Sequence, residues 1–205
     1  MPDAGSSHQT PCTAGHYQPN SGESSCTEAD AGYYVGGSGS IEQTPCDPGR
    51  WQNQTGKGWC WEAEPGHYVD STASTSQTPC AAGTYNPNYG SNSSADCIAA
   101  DPGYHVPAEG SINQEACPAG TYQNQTGQSA CNESEAGHYT DSTASLQQSE
   151  CLAGTYQPLT GQFSCLNASA GHYVETSGSA VQQPCPSGHY NPDIGADSLS
   201  DCLPA

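Results

Sequence analysis

The strongest constraint on the fold is a short, cysteine-bounded segment that recurs along the whole chain. Its clearest copy, CPAGTYQNQTGQSAC, begins at Cys117 with Gly three residues later, Tyr two after that, a second Gly and a closing Cys131. The same pattern occupies residues 12–26, 46–60, 80–97, 151–165 and 185–202. Regularity of this kind predicts a tandem array in which each repeat is buried by its neighbours.

A second version of the repeat, without cysteines, alternates with the first. Its opening residues are Ala29, Ala63, Ala100, Ser134 and Ala168, and its closing residues are Gln43, Gln77, Gln114, Gln148 and Gln182. Repeats of about 17 residues therefore begin at residues 12, 29, 46, 63, 80, 100, 117, 134, 151, 168 and 185. We number each repeat from its opening residue, position 1, so that position 4 is always Gly and position 6 is Tyr or Trp except at His105.

The repeats are organised at a higher level as well. Two repeats make a pair of 34 residues, three extra residues precede Cys97 and Cys202, and every cysteine recurs 105 residues later. This predicts two super-repeats, residues 1–100 and 101–205, each of three pairs. Ser6 and Gln9 match the tail of a cysteine-free repeat, so we expect the chain to begin in mid-repeat and to be a window on a longer array.

The alternation also bears on how the cysteines pair. Opening and closing cysteines are present or absent together, which favours pairing within a repeat. Spacing alone does not fix connectivity, so pairs across repeats such as Cys26–Cys46 remain open. The favoured bridges are Cys12–Cys26, Cys46–Cys60, Cys80–Cys97, Cys117–Cys131, Cys151–Cys165 and Cys185–Cys202.

Composition argues against a conventional core. Only 16 residues are Leu, Ile, Val or Phe, and burying each contributes about 1.5–3 kcal/mol, too little to order 205 residues. A disulfide that closes a 15-residue loop contributes about 3 kcal/mol. We therefore predict a small disulfide-rich fold, mostly β and irregular, forming an elongated rod of tandem repeats without long helices.

Short-range patterns predict details of each repeat. Segments such as Gly66–Val69 have strand character, and the inner glycines Gly22, Gly56, Gly90, Gly127, Gly161 and Gly195 indicate a backbone position with positive φ or close approach. Cysteine-free repeats carry Ser-x-x-Gln at their ends. We expect this Gln to bond backbone groups that the tight loop leaves unpaired, in place of the disulfide.

Paired cysteines and glycosylation sequons indicate a secreted or cell-surface protein. Twelve cysteines would persist as disulfides only in an oxidising compartment. Five sequons predict N-linked glycans on surface loops, at Asn53, Asn92, Asn124, Asn132 and Asn167.

Charge and motif content exclude several classes of function. A net charge of −19 with single Arg50 and Lys57 residues would repel nucleic acid, and no apolar run reaches the length of a membrane span. Five histidines fall in Gly-His-Tyr at places set by the repeat. We expect no enzymatic activity and no cofactor. Calcium binding stays open as an alternative that no motif supports, because the carboxylates are scattered and no calcium-binding loop occurs.

One segment differs from the other repeats. Residues 50–61 hold all three tryptophans and both basic residues of the chain, and Trp and Arg are enriched where protein interfaces are strongest. The candidate interface consists of Arg50, Trp51, Lys57, Trp59 and Trp61, against the alternative that Trp51 merely fills position 6.

The pattern C-x-A-G-x-Y, followed by Gly and then Cys, resembles the ephrin-receptor-like cysteine-rich repeat. The resemblance covers essentially the whole chain and implies an extracellular, non-catalytic, elongated protein. Residues three after Cys26, Cys60, Cys97, Cys131 and Cys165 are Ala or Ser where that family commonly has a further Cys.

Two functions follow as hypotheses. The first is a structural part of an extracellular glycosylated filament or surface hair, assembled head to tail and laterally from copies of itself. The alternative is a ligand-binding or adhesive stalk ectodomain of a cell-surface receptor.

Overall fold

The computed structural model describes residues 10–205, and the partial repeat predicted around Ser6 and Gln9 lies outside them. The described residues form short strands of two residues each. They are β1 (His16–Tyr17), β2 (Thr27–Glu28), β3 (Tyr33–Tyr34), β4 (Thr44–Pro45), β5 (Arg50–Trp51), β6 (Trp61–Glu62), β7 (His67–Tyr68), β8 (Thr78–Pro79), β9 (Thr84–Tyr85), β10 (Ile98–Ala99), β11 (Tyr104–His105), β12 (Glu115–Ala116), β13 (Thr121–Tyr122), β14 (Asn132–Glu133), β15 (His138–Tyr139), β16 (Ser149–Glu150), β17 (Thr155–Tyr156), β18 (Leu166–Asn167), β19 (His172–Tyr173), β20 (Gln183–Pro184), β21 (His189–Tyr190) and β22 (Leu203–Pro204).

Each repeat forms one hairpin-like sheet. Every odd-numbered strand hydrogen-bonds to the strand that follows it, and these two-stranded sheets are antiparallel, as where Trp51 lies opposite Trp61. The strand at positions 5 and 6 thus pairs with the last two residues of the same repeat. The structure confirms the predicted disulfide-rich, mostly β and irregular fold built from repeats of about 17 residues.

The three-residue insertions form the two 3-10 helices, Ser94–Asp96 and Leu199–Asp201. Both begin with a capping box, in which the Ser93 or Ser198 side chain accepts a backbone hydrogen bond and an aspartate side chain accepts one in return. The insertion therefore closes on itself and leaves the following strand pair unchanged. Within residues 10–205, no helix has the length and apolar character needed to cross a membrane.

The chain divides into two compact parts. The first contains the residues up to Ala81 together with Tyr85–Ile98 and Glu109–Ile112, and the second contains Ala82–Thr84, Ala99–Ala108 and Asn113–Ala205. The sequence-based division at residues 100 and 101 follows the 105-residue period and stays a prediction.

In both parts the interior consists of small and medium-sized side chains from positions 1 and 7 of successive repeats. Apart from the partly buried Cys185, position 1 is buried as Cys in one kind of repeat and as Ala or Ser in the other, for example Cys46 and Ala63. Position 7 is buried as Val in most cysteine-free repeats and as an amide in cysteine-containing ones, for example Val69 and Gln52. Most of the position 6 aromatics are only half-buried, so the aromatic ladder flanks the core rather than forming it.

Successive repeats are joined by the same three backbone hydrogen bonds. Between the repeats that begin at residues 46 and 63, these are Gly49 N–H to the Val69 carbonyl at 2.7 Å, Gln52 N–H to Ser74 at 3.0 Å, and Ala73 N–H to Cys46 at 2.8 Å. The equivalent bonds join each of the ten described pairs of successive repeats. Backbone groups that a two-residue strand leaves unpaired therefore find partners in the next repeat.

Two kinds of staple close the repeats. The structure pairs the cysteines within repeats, as Cys12–Cys26, Cys46–Cys60, Cys80–Cys97, Cys117–Cys131, Cys151–Cys165 and Cys185–Cys202, with Cα atoms 5.7–5.9 Å apart. In the cysteine-free repeats the closing Gln accepts a hydrogen bond from the backbone N–H at position 2, as from Glu64 to Gln77 at 2.8 Å. The same bond occurs at Gln43, Gln114, Gln148 and Gln182, which confirms the predicted role of these residues.

Candidate functional site

The tryptophan segment gathers on one hairpin. Trp51 on β5 lies directly opposite Trp61 on β6. The Trp59 and Trp61 rings meet edge to face, with centroids 4.1 Å apart and planes at 83°. The structure therefore brings the three predicted tryptophans together in one cluster.

The loop that carries Trp59 is held by a buried amide. Gln52 is fully buried, its Nε2 donates to the Trp59 carbonyl at 2.9 Å, and its Oε1 accepts from Gln54 N–H at 3.1 Å. Gln123 and Gln157 make the same two bonds in their own repeats. The loop conformation thus belongs to the repeat, whereas the tryptophan side chains are particular to this copy.

The cluster forms one wall of an open groove of about 630 Å³. Tyr89, which comes from the following cysteine-containing repeat, contributes a fourth ring. Trp59, Trp61 and Tyr89 are 46%, 50% and 68% exposed, unusual values for rings of this size. Polar groups complete the lining, from Asn53, Gln54, Glu62 and Glu64.

Tyr89 was missed by the sequence reasoning. It stands at position 10, outside the aromatic pattern, and a tyrosine in a Pro- and Asn-rich turn gives no signal of a distant partner. The sequence shows only that this turn has an aromatic residue outside the repeat pattern. Only the stacking of repeats places it beside the tryptophans.

The two basic residues behave differently from each other. Arg50 forms an ion pair with Glu62 across the same hairpin at 3.1 Å, and both side chains are more than half exposed. Such a pair contributes little to stability, so its effect is to hold Glu62 at the edge of the groove. Lys57 does not line the groove, and its backbone carbonyl accepts the inter-repeat bond from Val35 N–H.

The second super-repeat has different residues at the equivalent places. By the 105-residue offset, Trp51, Trp59, Trp61 and Tyr89 correspond to Tyr156, Ser164, Leu166 and Ile194. Leu166 and Ile194 are 47% and 69% exposed, so the surface stays apolar there but loses most of its rings. The aromatic groove is therefore specific to the first super-repeat.

The predicted glycosylation sites are accessible. All five asparagines, Asn53, Asn92, Asn124, Asn132 and Asn167, are exposed. Asn53 lines the aromatic groove itself. The structure has room for glycans at each of them; their attachment stays a prediction.

One group of three metal-ligand side chains lies together among residues 10–205. A ring nitrogen of His105 and the sulfur atoms of Cys117 and Cys131 are within 4.8 Å of one another. Both sulfurs are already joined in a disulfide and lack the thiolate that a metal requires. The Gly-His-Tyr histidines are not gathered with other ligands in this part of the chain, and four of the five are half-buried.

Comparison with known proteins adds one family. Residues 103–151 match the family described as tyrosine-protein kinase ephrin type A/B receptor-like. The matched segment covers β11 to β16 and includes the Cys117–Cys131 bridge. The chain matches no curated protein.

The family match and the disulfides agree on location. The match at residues 103–151 and six disulfide bridges in a chain of 205 residues indicate an extracellular location.

Proposed function

We propose that this chain, whose residues 103–151 carry an ephrin-receptor-like cysteine-rich repeat, is a non-catalytic structural segment of an extracellular, glycosylated filament or surface hair. The observation that supports it is the repetition of three backbone hydrogen bonds at each of ten junctions. A contact set that is identical from one repeat to the next can be extended indefinitely, because it needs no special terminal surface.

The repeat that begins at residue 185 has the same groups at its junction positions. The N–H groups of Gly188 and Asn191 and the carbonyl of Cys185 occupy the bonding positions of a junction, and no described residue pairs with them. A further repeat, from a continuing chain or from a second copy, would pair all three. Head-to-tail contacts of this kind do not close and therefore generate open filaments.

Surface chemistry suits separate filaments. The net charge of −19 repels neighbouring copies, and glycans on the five exposed asparagines would add a hydrated coat. Salt screens this repulsion over about 10 Å at 0.1 M. Lateral association is therefore expected to increase with ionic strength or with calcium, without a dedicated metal site.

The test is electron microscopy of the glycosylated, oxidised chain over a range of salt and calcium concentrations. Filaments are the expected result, and particles that stay monomeric under every condition would overturn the proposal.

A point variant separates stacking from other modes of assembly. At position 4 of the first nine described repeats, an added Cβ would overlap the carbonyl oxygen of position 11 two repeats further on, as at Gly154 with Gly195. At Gly188 an added Cβ meets nothing, so Gly188→Ala adds to the single chain only the strain of a positive φ of +82° and would block a stacked second copy. Gly22→Ala is the matched control, because Gly22 has a similar φ of +86° and open space around it. Loss of filaments in the first variant alone is expected, and equal assembly of both would contradict head-to-tail stacking.

Glycosylation has its own measurement. The intact mass of material from a secreting eukaryotic host is expected to exceed the bare 21.1 kDa and to fall on enzymatic deglycosylation. Mutation of each Asn to Gln then assigns the sites. A mass equal to that of the bare chain would remove the glycoprotein part of the proposal.

A second candidate function is supported by the aromatic groove. Three exposed rings beside Glu62 and Glu64 form a surface that attracts a cation, because ring faces and carboxylates both carry negative potential. The strongly acidic chain itself supplies only two basic residues. We infer that an adhesive role would use this groove to hold a basic segment of a partner protein.

Replacing the rings by the residues of the second super-repeat tests this role without disturbing the fold. Trp59→Ser and Trp61→Leu copy Ser164 and Leu166. Adhesive function predicts that the double variant weakens binding of a lysine- and arginine-rich peptide at least about tenfold, since a desolvated cation–ring contact is worth about 2 kcal/mol. Glu115→Gln, which removes a carboxylate distant in sequence from the groove, serves as the charge control.

A further inference from the structure

His105 is the one residue that breaks the aromatic pattern at position 6. It lies half-buried on β11, where ten other repeats have Tyr or Trp. Its ring Nδ1 is 3.2 Å from the sulfur of Cys131 and 3.2 Å from the carbonyl oxygen of Glu115. Among residues 10–205, this is the only contact of this length between a histidine nitrogen and a disulfide sulfur.

The contact with Glu115 determines what His105 presents to the sulfur. A carbonyl oxygen can only accept, so Nδ1 carries the hydrogen and donates it. A disulfide sulfur is a weak acceptor, whereas a thiolate is a strong one. The single Nδ1 hydrogen lies between the Glu115 carbonyl and the sulfur, each 3.2 Å away, and is shared by both. Because a thiolate takes a larger share of it than a disulfide sulfur does, His105 stabilises the reduced form of this bridge more than the oxidised form.

We propose that the Cys117–Cys131 disulfide is a thiol–disulfide exchange site, with His105 as the positioning residue that favours its opening by low-molecular-weight thiols.

The exposure of the two sulfurs sets the order of the exchange steps. The Cys131 side is partly exposed and the Cys117 side is buried. A thiolate attacks the Cys131 sulfur and forms a mixed disulfide, and Cys117 leaves as a thiolate that takes up a proton from water. A second thiolate attacks the sulfur of the reagent and releases the Cys131 thiolate beside Nδ1–H of His105. Two thiols are oxidised to one disulfide, and the bridge gains two electrons.

The other bridges with 14-residue separation lack this arrangement. At the place that His105 occupies relative to Cys131, the preceding repeats have Tyr34 for Cys60 and Tyr139 for Cys165. These two bridges have a tyrosine in place of the histidine and serve as internal references in the same molecule.

The backbone bonds that join successive repeats do not depend on a disulfide. The cysteine-free repeats stack with the same backbone bonds although a Gln amide replaces their disulfide. Repeats on both sides of Cys117–Cys131 are of this kind, opening at Ala100 and Ser134. Exchange at this site therefore breaks no disulfide of either neighbouring repeat, since both are closed by Gln amides.

The experiment equilibrates the complete oxidised chain in a series of glutathione buffers. Differential alkylation and mass spectrometry then give the reduced fraction of each bridge. We expect Cys117–Cys131 to be half-reduced at a thiol-to-disulfide ratio at least about tenfold lower than that for Cys46–Cys60 or Cys151–Cys165, as a hydrogen bond to a charged group allows.

His105→Tyr is the matched variant, because Tyr is the usual residue at position 6 and the fold accepts it throughout the chain. In this variant, the thiol-to-disulfide ratio at which Cys117–Cys131 is half-reduced is expected to rise to the ratio of the reference bridges. The ratios of the reference bridges themselves are expected not to change. A misfolded variant would be recognised because all bridges would shift together, and His105→Gln then replaces it. Equal reduction of the three bridges in the native chain, or an unchanged difference in the variant, would overturn the proposal.

Discussion

Two glycine positions in each repeat have different physical reasons. At position 11 the backbone has positive φ, and two repeats accept Ala there, with φ of 55° at Ala73 and 56° at Ala144. Position 4 combines positive φ with close approach, since a Cβ on Gly66 would overlap the Gly110 carbonyl oxygen two repeats further on. Position 4 is therefore Gly in all eleven repeats, while position 11 is not.

This difference gives a prediction for a pair of substitutions. Gly66→Ala is expected to destabilise the fold by about 2–5 kcal/mol, because backbone strain and steric overlap add. Gly90→Ala is expected to cost about 1–2 kcal/mol from strain alone, since an added Cβ there meets nothing within 4 Å. Urea denaturation of both variants measures the difference, and equal costs would show that close approach does not constrain position 4.

At the level of the repeat, a disulfide and a glutamine amide perform the same task. Each ties the end of the repeat to its beginning, one through position 1 and the other through the backbone N–H of position 2. Gln148 shows the second device, accepting from Glu135 N–H at 2.6 Å and donating to the Glu135 carboxylate at 3.2 Å. The covalent form contributes about 3 kcal/mol and the amide about 1–2 kcal/mol.

Adjacent residues allow a direct test of the amide staple. Gln148→Ala is expected to lower local stability by about 1–2 kcal/mol and to speed hydrogen exchange at the Glu135 amide about tenfold, since that N–H loses its acceptor. Gln147→Ala is the control, because Gln147 is exposed and its substitution should stay within about 0.5 kcal/mol. Exchange that rises equally in both variants would contradict the staple.

For the whole molecule, the predicted elongated array remains to be tested. A compact globule of 205 residues has a radius of gyration of about 17 Å. X-ray scattering of the deglycosylated chain is expected to give a clearly larger value, because contacts between repeats are with near neighbours in sequence. Excess reductant should unfold the chain, since its few large apolar residues are mostly exposed. A radius near 17 Å with native disulfides would exclude the rod.

The sequence by itself determined the repeat and its local chemistry. Spacing predicted the period, the alternation predicted which cysteines and glutamines close a repeat, and the inner glycines predicted positive φ. These features were predictable because they are local. Each depends on residues within one repeat, so the same sequence pattern recurs many times along the chain.

The tertiary structure determined which residues contact one another within and between repeats. The buried amide of Gln52, the fourth ring of Tyr89 and the contact between His105 and Cys131 all join residues whose relation depends on how backbones fold and stack. The sequence predicted no conventional core and did not say which residues would be buried, whereas close packing of successive backbones leaves room in the interior only for the smaller residues of positions 1 and 7. Distances between repeats follow from the backbone bonds that join them, and no local pattern contains that information.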